Sequence, residues 1–245
     1  MTKKDLSKHA SSVLDLFMQT REIIKKQWKN LLLIGLISLG FGVVTFILMA
    51  ILGVIVMATG AGVLSGIFGM LFALIIAVLS IAVYSYIFML IVHIVKYARE
   101  DKKLDLKKLM MDNLNLEKIK PVALTGFFTS LFTCLWSILL IIPGIWKSVQ
   151  RVFSIIISID KGKFNADARK ESEKMVNGKW WLTFGYIICG SLAVVIISYI
   201  LKAIFNDVVG SLISCILSIA VMVYIVVMYF ARSKPSAEHE KSHEA

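Results

Sequence analysis

Between Leu31 and Val95 the sequence contains no Asp, Glu, Lys or Arg. A soluble surface is excluded there, since one crossing helix needs only about 20 apolar residues to span a hydrocarbon core of about 30 Å. Cysteine is scarce as well. Cys134, Cys189 and Cys215 all lie in apolar stretches, without CxxC spacing or neighbouring histidines, and read as small packing residues, not as a disulfide framework or metal ligands. Of the four histidines, His9, His93, His239 and His243, only His93 lies in a long apolar run. With no intramembrane carboxylate nearby it makes neither a metal site nor an acid/base pair, and it reads as a packing or interfacial residue. The C-terminal His243 and its neighbours are too sparse for a metal tract. No catalytic constellation and no cofactor site emerge, so the sequence points away from an enzyme. A cleavable signal peptide is not expected, because polar or amphipathic residues occupy positions 1–30 ahead of the first apolar run.

What the sequence does contain is apolar and basic. Hydrophobic residues make up 58% of the 245, against about 45–50% in soluble domains, and the mean hydropathy is +0.81. Membrane insertion follows. The net charge of +11 comes from 27 Lys and Arg against 16 Asp and Glu. The basic segments are short and interrupted by acids, which argues against nucleic acid. In a membrane protein such residues collect in cytoplasmic loops and at anionic headgroups.

The expected architecture is all-α: a polytopic helical bundle of about six transmembrane helices, with amphipathic interfacial helices and both termini cytoplasmic. Residues 1–30 carry seven cations, with Leu6, Val13, Leu14, Phe17, Ile24 and Trp28 at helical spacing, and read as a basic amphipathic helix lying in the interface. A membrane domain over 31–232 follows, with spans at 31–58, 67–95, 122–142, 145–159, 180–201 and 208–231. The segment 96–120 is as basic as the N-terminus, so an even number of crossings separates them. Its interspersed Leu104, Leu106, Leu109, Met110, Leu114 and Leu116 suggest a second interfacial helix. Residues 233–245 read as a disordered cytoplasmic tail.

In the third span Thr125, Thr129, Thr133 and Ser137 recur every fourth residue, and Gly185, Cys189 and Ala193 do so in the fifth. The sixth carries Ser211, Ser214, Cys215 and Ser218 on one side. Small and hydroxylated stripes of this kind mark helix-packing faces.

Pro143 and Gly144 read as a helix break ending the third span. A short fourth crossing after it keeps the basic 161–179 loop inside. Within that crossing Lys147, Arg151, Ser154 and Ser158 are spaced to share one helical face. Lys147 snorkels to the outer interface, while Arg151, costing about 2.5–3.5 kcal/mol at a span's centre, must face the protein interior, a wet cavity or a headgroup. In the loop, Asn165 is a candidate N-cap for a helix over 166–176, and Asn177-Gly178 a left-handed stop. Trp180 and Trp181 are expected at headgroup level.

Taken together, Trp28-Lys29-Asn30-Leu31-Leu32, Ile142-Pro143-Gly144-Ile145 with Arg151 behind it, Ala168-Arg169-Lys170-Glu171-Ser172 and Val176-Asn177-Gly178-Lys179-Trp180-Trp181 resemble a known group. It comprises the YciC-like bacterial membrane proteins and the membrane domain fused to some glycerophosphoryl diester phosphodiesterases. The likeness covers most of the chain and is most specific over 142–181. It implies a fold of roughly six spans in the bacterial inner (plasma) membrane. It carries no hydrolase activity here, because the paired Glu and His of a metal-dependent phosphodiesterase are missing.

The expected function is therefore that of a non-enzymatic multi-pass membrane protein engaging anionic phospholipid headgroups or a membrane partner, a second copy of itself included. A small-solute or anion transporter or channel with Arg151 lining the path is the alternative, and a purely structural or scaffold role is another. The residues singled out are Lys147, Arg151, Ser154 and Ser158 as a polar face, Pro143 and Gly144 as the break, and Ser172, Gly178, Trp180 and Trp181 as an interfacial loop motif.

Overall fold

The computed structural model describes residues 13–58, 62–102, 104–139, 141–205 and 207–233. The expected tail over 233–245 falls outside these residues except for Ser233, and so do the first twelve residues of the N-terminal amphipathic helix. Among the described residues every regular element is a helix. They are α1 (Val13–Ala58), α2 (Val63–Glu100), α3 (Leu106–Asn113), α4 (Leu116–Leu139), α5 (Ile141–Gln150), α6 (Ser154–Asp160), α7 (Asn165–Val176), α8 (Trp180–Ile204) and α9 (Asp207–Arg232). Four of them, α1, α2, α4 and α8, are long and apolar enough to cross a membrane.

The N-terminal amphipathic segment is not separate from the first span. Both belong to α1, which bends at Gln27, where φ −116° and ψ 18° leave the helical region. The arm before the bend buries Leu16, Thr20 and Ile23 in the protein core. The expected apolar face is only partly used, since Leu14 and Trp28 are exposed. Thr20 sits in the buried face at little cost because its hydroxyl donates to Leu16 O at 2.7 Å.

Buried apolar side chains gather at one end of the molecule. They come from the arm of α1, from 87–98 of α2, from Leu109, from 149–157, from α7 and from 219–231 of α9. The far halves of the long helices are the reverse, with Met57 85% exposed, Met70 77% and Tyr199 73%. In water such surfaces would aggregate, whereas against lipid tails their exposure is free.

Polar contacts tie the packed end together. Asp160 accepts from Lys96 Nζ at 2.7 Å and from Tyr229 Oη at 3.0 Å, joining α6 to α2 and α9. Arg232 donates to Thr183 Oγ1 across α8 and α9. The close-packed face of α8 is Trp180, Thr183, Tyr186 and Gly190, and a Cβ at Gly190 would stand 2.6 Å from the Tyr224 ring. This corrects the expected Gly185–Cys189–Ala193 stripe: Gly185 has open space beside it and Cys189 is exposed. One residue of offset turns a helix by about 100°, enough to exchange one face for another.

In α4 the hydroxyls of Thr125 and Thr133 donate to the carbonyls of Pro121 and Thr129. The side chains of Ser137, Ser211 and Cys215 lie outside the described residues. His93 Nδ1 donates to Met89 O at 2.8 Å within its own helix.

A candidate anion site between α5 and α7

The break expected at Pro143 and Gly144 falls a few residues earlier, between Leu139 at the end of α4 and Ile141 at the start of α5. Both residues lie in the first turns of α5, where a proline's missing N–H costs nothing. A second break follows that the sequence did not announce: the helix stops at Gln150 and restarts at Ser154, leaving Arg151, Val152 and Phe153 in a turn. A single side chain from α7 supports that turn. Ser172 Oγ donates to Gln150 O at 2.8 Å and accepts the Phe153 N–H at 3.2 Å, so one hydroxyl replaces two bonds of the helical ladder. The expected continuous helix over 145–159 is thus two short helices set on a serine.

The expected polar face divides accordingly. Ser154 and Ser158 turn into the core, and the Ser158 hydroxyl donates to Ile155 O. Lys147 and Arg151 turn the other way and converge on Glu173 Oε1, at 3.5 and 3.0 Å. Lys147 therefore does not stand alone at a far interface, because it shares a carboxylate from α7.

Arg169 completes the cluster. It lies 5.1 Å over the Phe132 ring and close enough to Arg151 to feel its charge: burial first, then Arg151, press its pKa down, and Glu173 offsets part of this. It stays a cation all the same, as arginine does throughout the ordinary pH range. Three cations thus face one carboxylate. Arg151 is only 12% exposed, and Arg151 Nη1 and Arg169 Nη1 are both buried without a hydrogen-bond acceptor. Buried donors of this kind cost about 1–3 kcal/mol each when left unmet, more when charged, so the cluster is poised to receive the oxygens of an anion.

The sequence showed Lys147 and Arg151 but not their partners. Arg169, Ser172 and Glu173 stand at i, i+3 and i+4, a spacing that puts them on one face of α7, and that spacing was the available signal.

Asn165 does not cap α7 with its side chain. Its backbone is left-handed, φ 50°, its N–H goes to Thr125 Oγ1 at 2.9 Å, and its Oδ1 has no partner. A cap needs an extended backbone to aim the side chain at the first free amides, and here Phe164 holds that conformation. Gly178, at φ 76°, makes the left-handed turn after α7. The two following tryptophans then part. Trp180 stacks on Trp146 with centroids 4.4 Å apart and donates Nε1–H to Trp146 O at 3.1 Å, whereas Trp181 is 74% exposed. Exposed Trp146 stands next to Lys147 on α5, while exposed Trp136 and Trp181 lie on α4 and α8.

Among the described residues no three His, Cys, Asp or Glu side chains come together as metal ligands would. An all-helical chain with several helices long and apolar enough to cross a bilayer has the architecture of a multi-pass helical membrane protein. The chain matches no known family, no characterised protein and no solved structure.

Proposed function

We propose that this protein is a non-enzymatic component of a bacterial inner membrane that binds anionic phospholipid headgroups from the cytoplasmic side, through Lys147, Arg151 and Arg169. The observation that carries this reading is the pair of buried guanidinium donors without acceptors beside a single shared carboxylate. The exposed Trp146, next to Lys147 on α5, favours a headgroup over a soluble anion, since indoles settle at the bilayer interface. The likeness to YciC-like proteins belongs to the same reading.

The reading includes a topology of four full crossings in place of six, with α1/α2 and α8/α9 as spanning hairpins and α4/α5 as a re-entrant one. Only residues 141–145 of α5 lie beyond the Trp146–Trp180 stack, a reach of about 8 Å at 1.5 Å per residue. By the same measure α8 continues from Trp180 to Ile204 for about 36 Å. With Trp180 beside Lys179 at the inner interface, the α4/α5 tip stops well short of the outer one. Both arrangements keep the basic segments 1–30, 96–120 and 161–179 on one side, because hairpins return the chain to the face it left. An anion path lined by Arg151 is disfavoured in this topology, since α4/α5 enters the bilayer only shallowly.

The test uses the full chain in neutral detergent. Added phosphatidylglycerol is expected to raise the melting temperature and phosphatidylcholine is not, and Arg169→Gln lowers the increment. No difference between the two lipids would overturn the reading.

A further inference from the structure

The bend at Gln27 leaves the arm of α1 lying across α8 and α9, and an open apolar cavity of about 770 Å³ runs between the three helices, within the about 300–1,000 Å³ of ordinary ligand sites. Ala193, Ile197, Leu217 and Tyr224 form its walls, and Arg21 and Lys25 its rim. A further apolar cavity of about 300 Å³ adjoins it beyond Trp28 and Leu217. Arg21 and Lys25 are one helical turn apart and exposed, and among the described residues neither has a carboxylate partner. The Tyr224 hydroxyl in the wall is buried and unpaired.

We infer that this groove holds an anionic phospholipid from the cytoplasmic leaflet, its phosphate between Arg21 and Lys25 and an acyl chain along Ala193, Ile197 and Leu217. Each part of the groove excludes a different occupant. Walls this apolar give a free phosphate or a nucleotide nothing to bind beyond the rim, while a neutral lipid leaves two adjacent cations unanswered. The walls come from the part of α8 that follows Trp180 and from the facing part of α9, so the chain lies at span level and the cations at headgroup level. The inference rests on the reading that the protein binds anionic lipid from this side, but it uses none of the α5/α7 residues.

Native mass spectrometry of the full chain, released from nanodiscs of equal phosphatidylglycerol and phosphatidylcholine, separates the two sites. The wild type is expected to retain two phosphatidylglycerols, and Arg21→Gln with Lys25→Gln to retain one, its preference at the groove falling about five- to thirty-fold, the worth of one or two surface cations. Ala193→Trp is expected to retain one as well, by filling the cavity. If that variant misfolds by circular dichroism, the Arg21/Lys25 pair, exposed on the arm, still decides. Wild-type lipid retention in both groove variants overturns the inference and leaves the α5/α7 reading standing. Loss of one lipid in the groove variants, with no loss in Arg151→Gln/Arg169→Gln, supports the inference and removes that reading. Equal retention of neutral and anionic lipid, or a second copy of the chain cross-linked through position 193, also overturns it.

Discussion

At the scale of single residues, Ser172 has a role out of proportion to its size, because its hydroxyl closes a gap that the backbone of 150–153 leaves open. Ser172→Ala would strand the Gln150 carbonyl and the Phe153 amide in a buried place, at a cost of about 1–3 kcal/mol. The expected result is a lower melting temperature for the purified protein, with Lys147 and Arg151 no longer held against Glu173 and with weaker stabilisation by phosphatidylglycerol. A Ser172→Ala protein as stable as the wild type would show that the turn holds itself. Little of this was legible in the sequence. Lys147 and Arg151 stood out because cations are costly in apolar surroundings, but Ser172 is one serine in a charged helix, and its partners lie 19 and 22 residues away. Spacing along one helix finds faces; it does not say which two faces meet.

At the scale of elements, the helices themselves were readable and their joints were not. Long apolar runs, the Asn177-Gly178 stop and the basic segments locate α2, α7, α8, α9 and the end of α1 to within a few residues. The bend at Gln27 has neither proline nor glycine to announce it, and it decides whether Arg21 and Lys25 face a bilayer or a groove. The loop before α7 shows how such joints are held: Glu171 receives Lys161 at 2.6 Å and Lys163 at 2.5 Å. Burial alone would raise the Glu171 carboxyl, but the two lysine hydrogen bonds outweigh it and hold the pKa below its ordinary value. A carboxyl depressed in the folded state contributes stability above its unfolded pKa, about 4.3 for Glu, and loses it as pH falls through the lower folded value. Both lysines are partly exposed, so the contribution is about 0.5–1 kcal/mol. The protection of amides at the start of α7, taken relative to their intrinsic exchange rate at each pH, is expected to fall as pH drops below about 4.3 in the wild type, whereas Glu171→Gln is weakly protected throughout. An unchanged acid profile in that variant would place the sensitivity elsewhere.

At the scale of the whole molecule, composition made the bundle legible and charge placed its basic segments together, but neither could separate a crossing hairpin from one that turns back. The two possibilities have the same hydropathy and the same even count. What separates them is length beyond a shared contact, and the Trp146–Trp180 stack supplies that contact only once the chain is folded. The distinction can be read in cells. In a background with Cys134, Cys189 and Cys215 replaced by serine, single cysteines at Gly62, Phe205, Ile142 and Lys170 meet a membrane-impermeant maleimide from outside. Gly62→Cys and Phe205→Cys, at or next to the tips of the spanning hairpins, are expected to label, and Lys170→Cys only after the membrane is opened. Ile142→Cys is decisive. Six crossings put it at the outer surface, where its 80% exposure would give a label like that of Gly62. A re-entrant α4/α5 keeps it within about 8 Å of the inner interface and dark from outside. Labelling there would restore a crossing between Leu139 and Asp160, and with it a cavity reading for Arg151, since the cation would then stand inside the bilayer instead of at its edge.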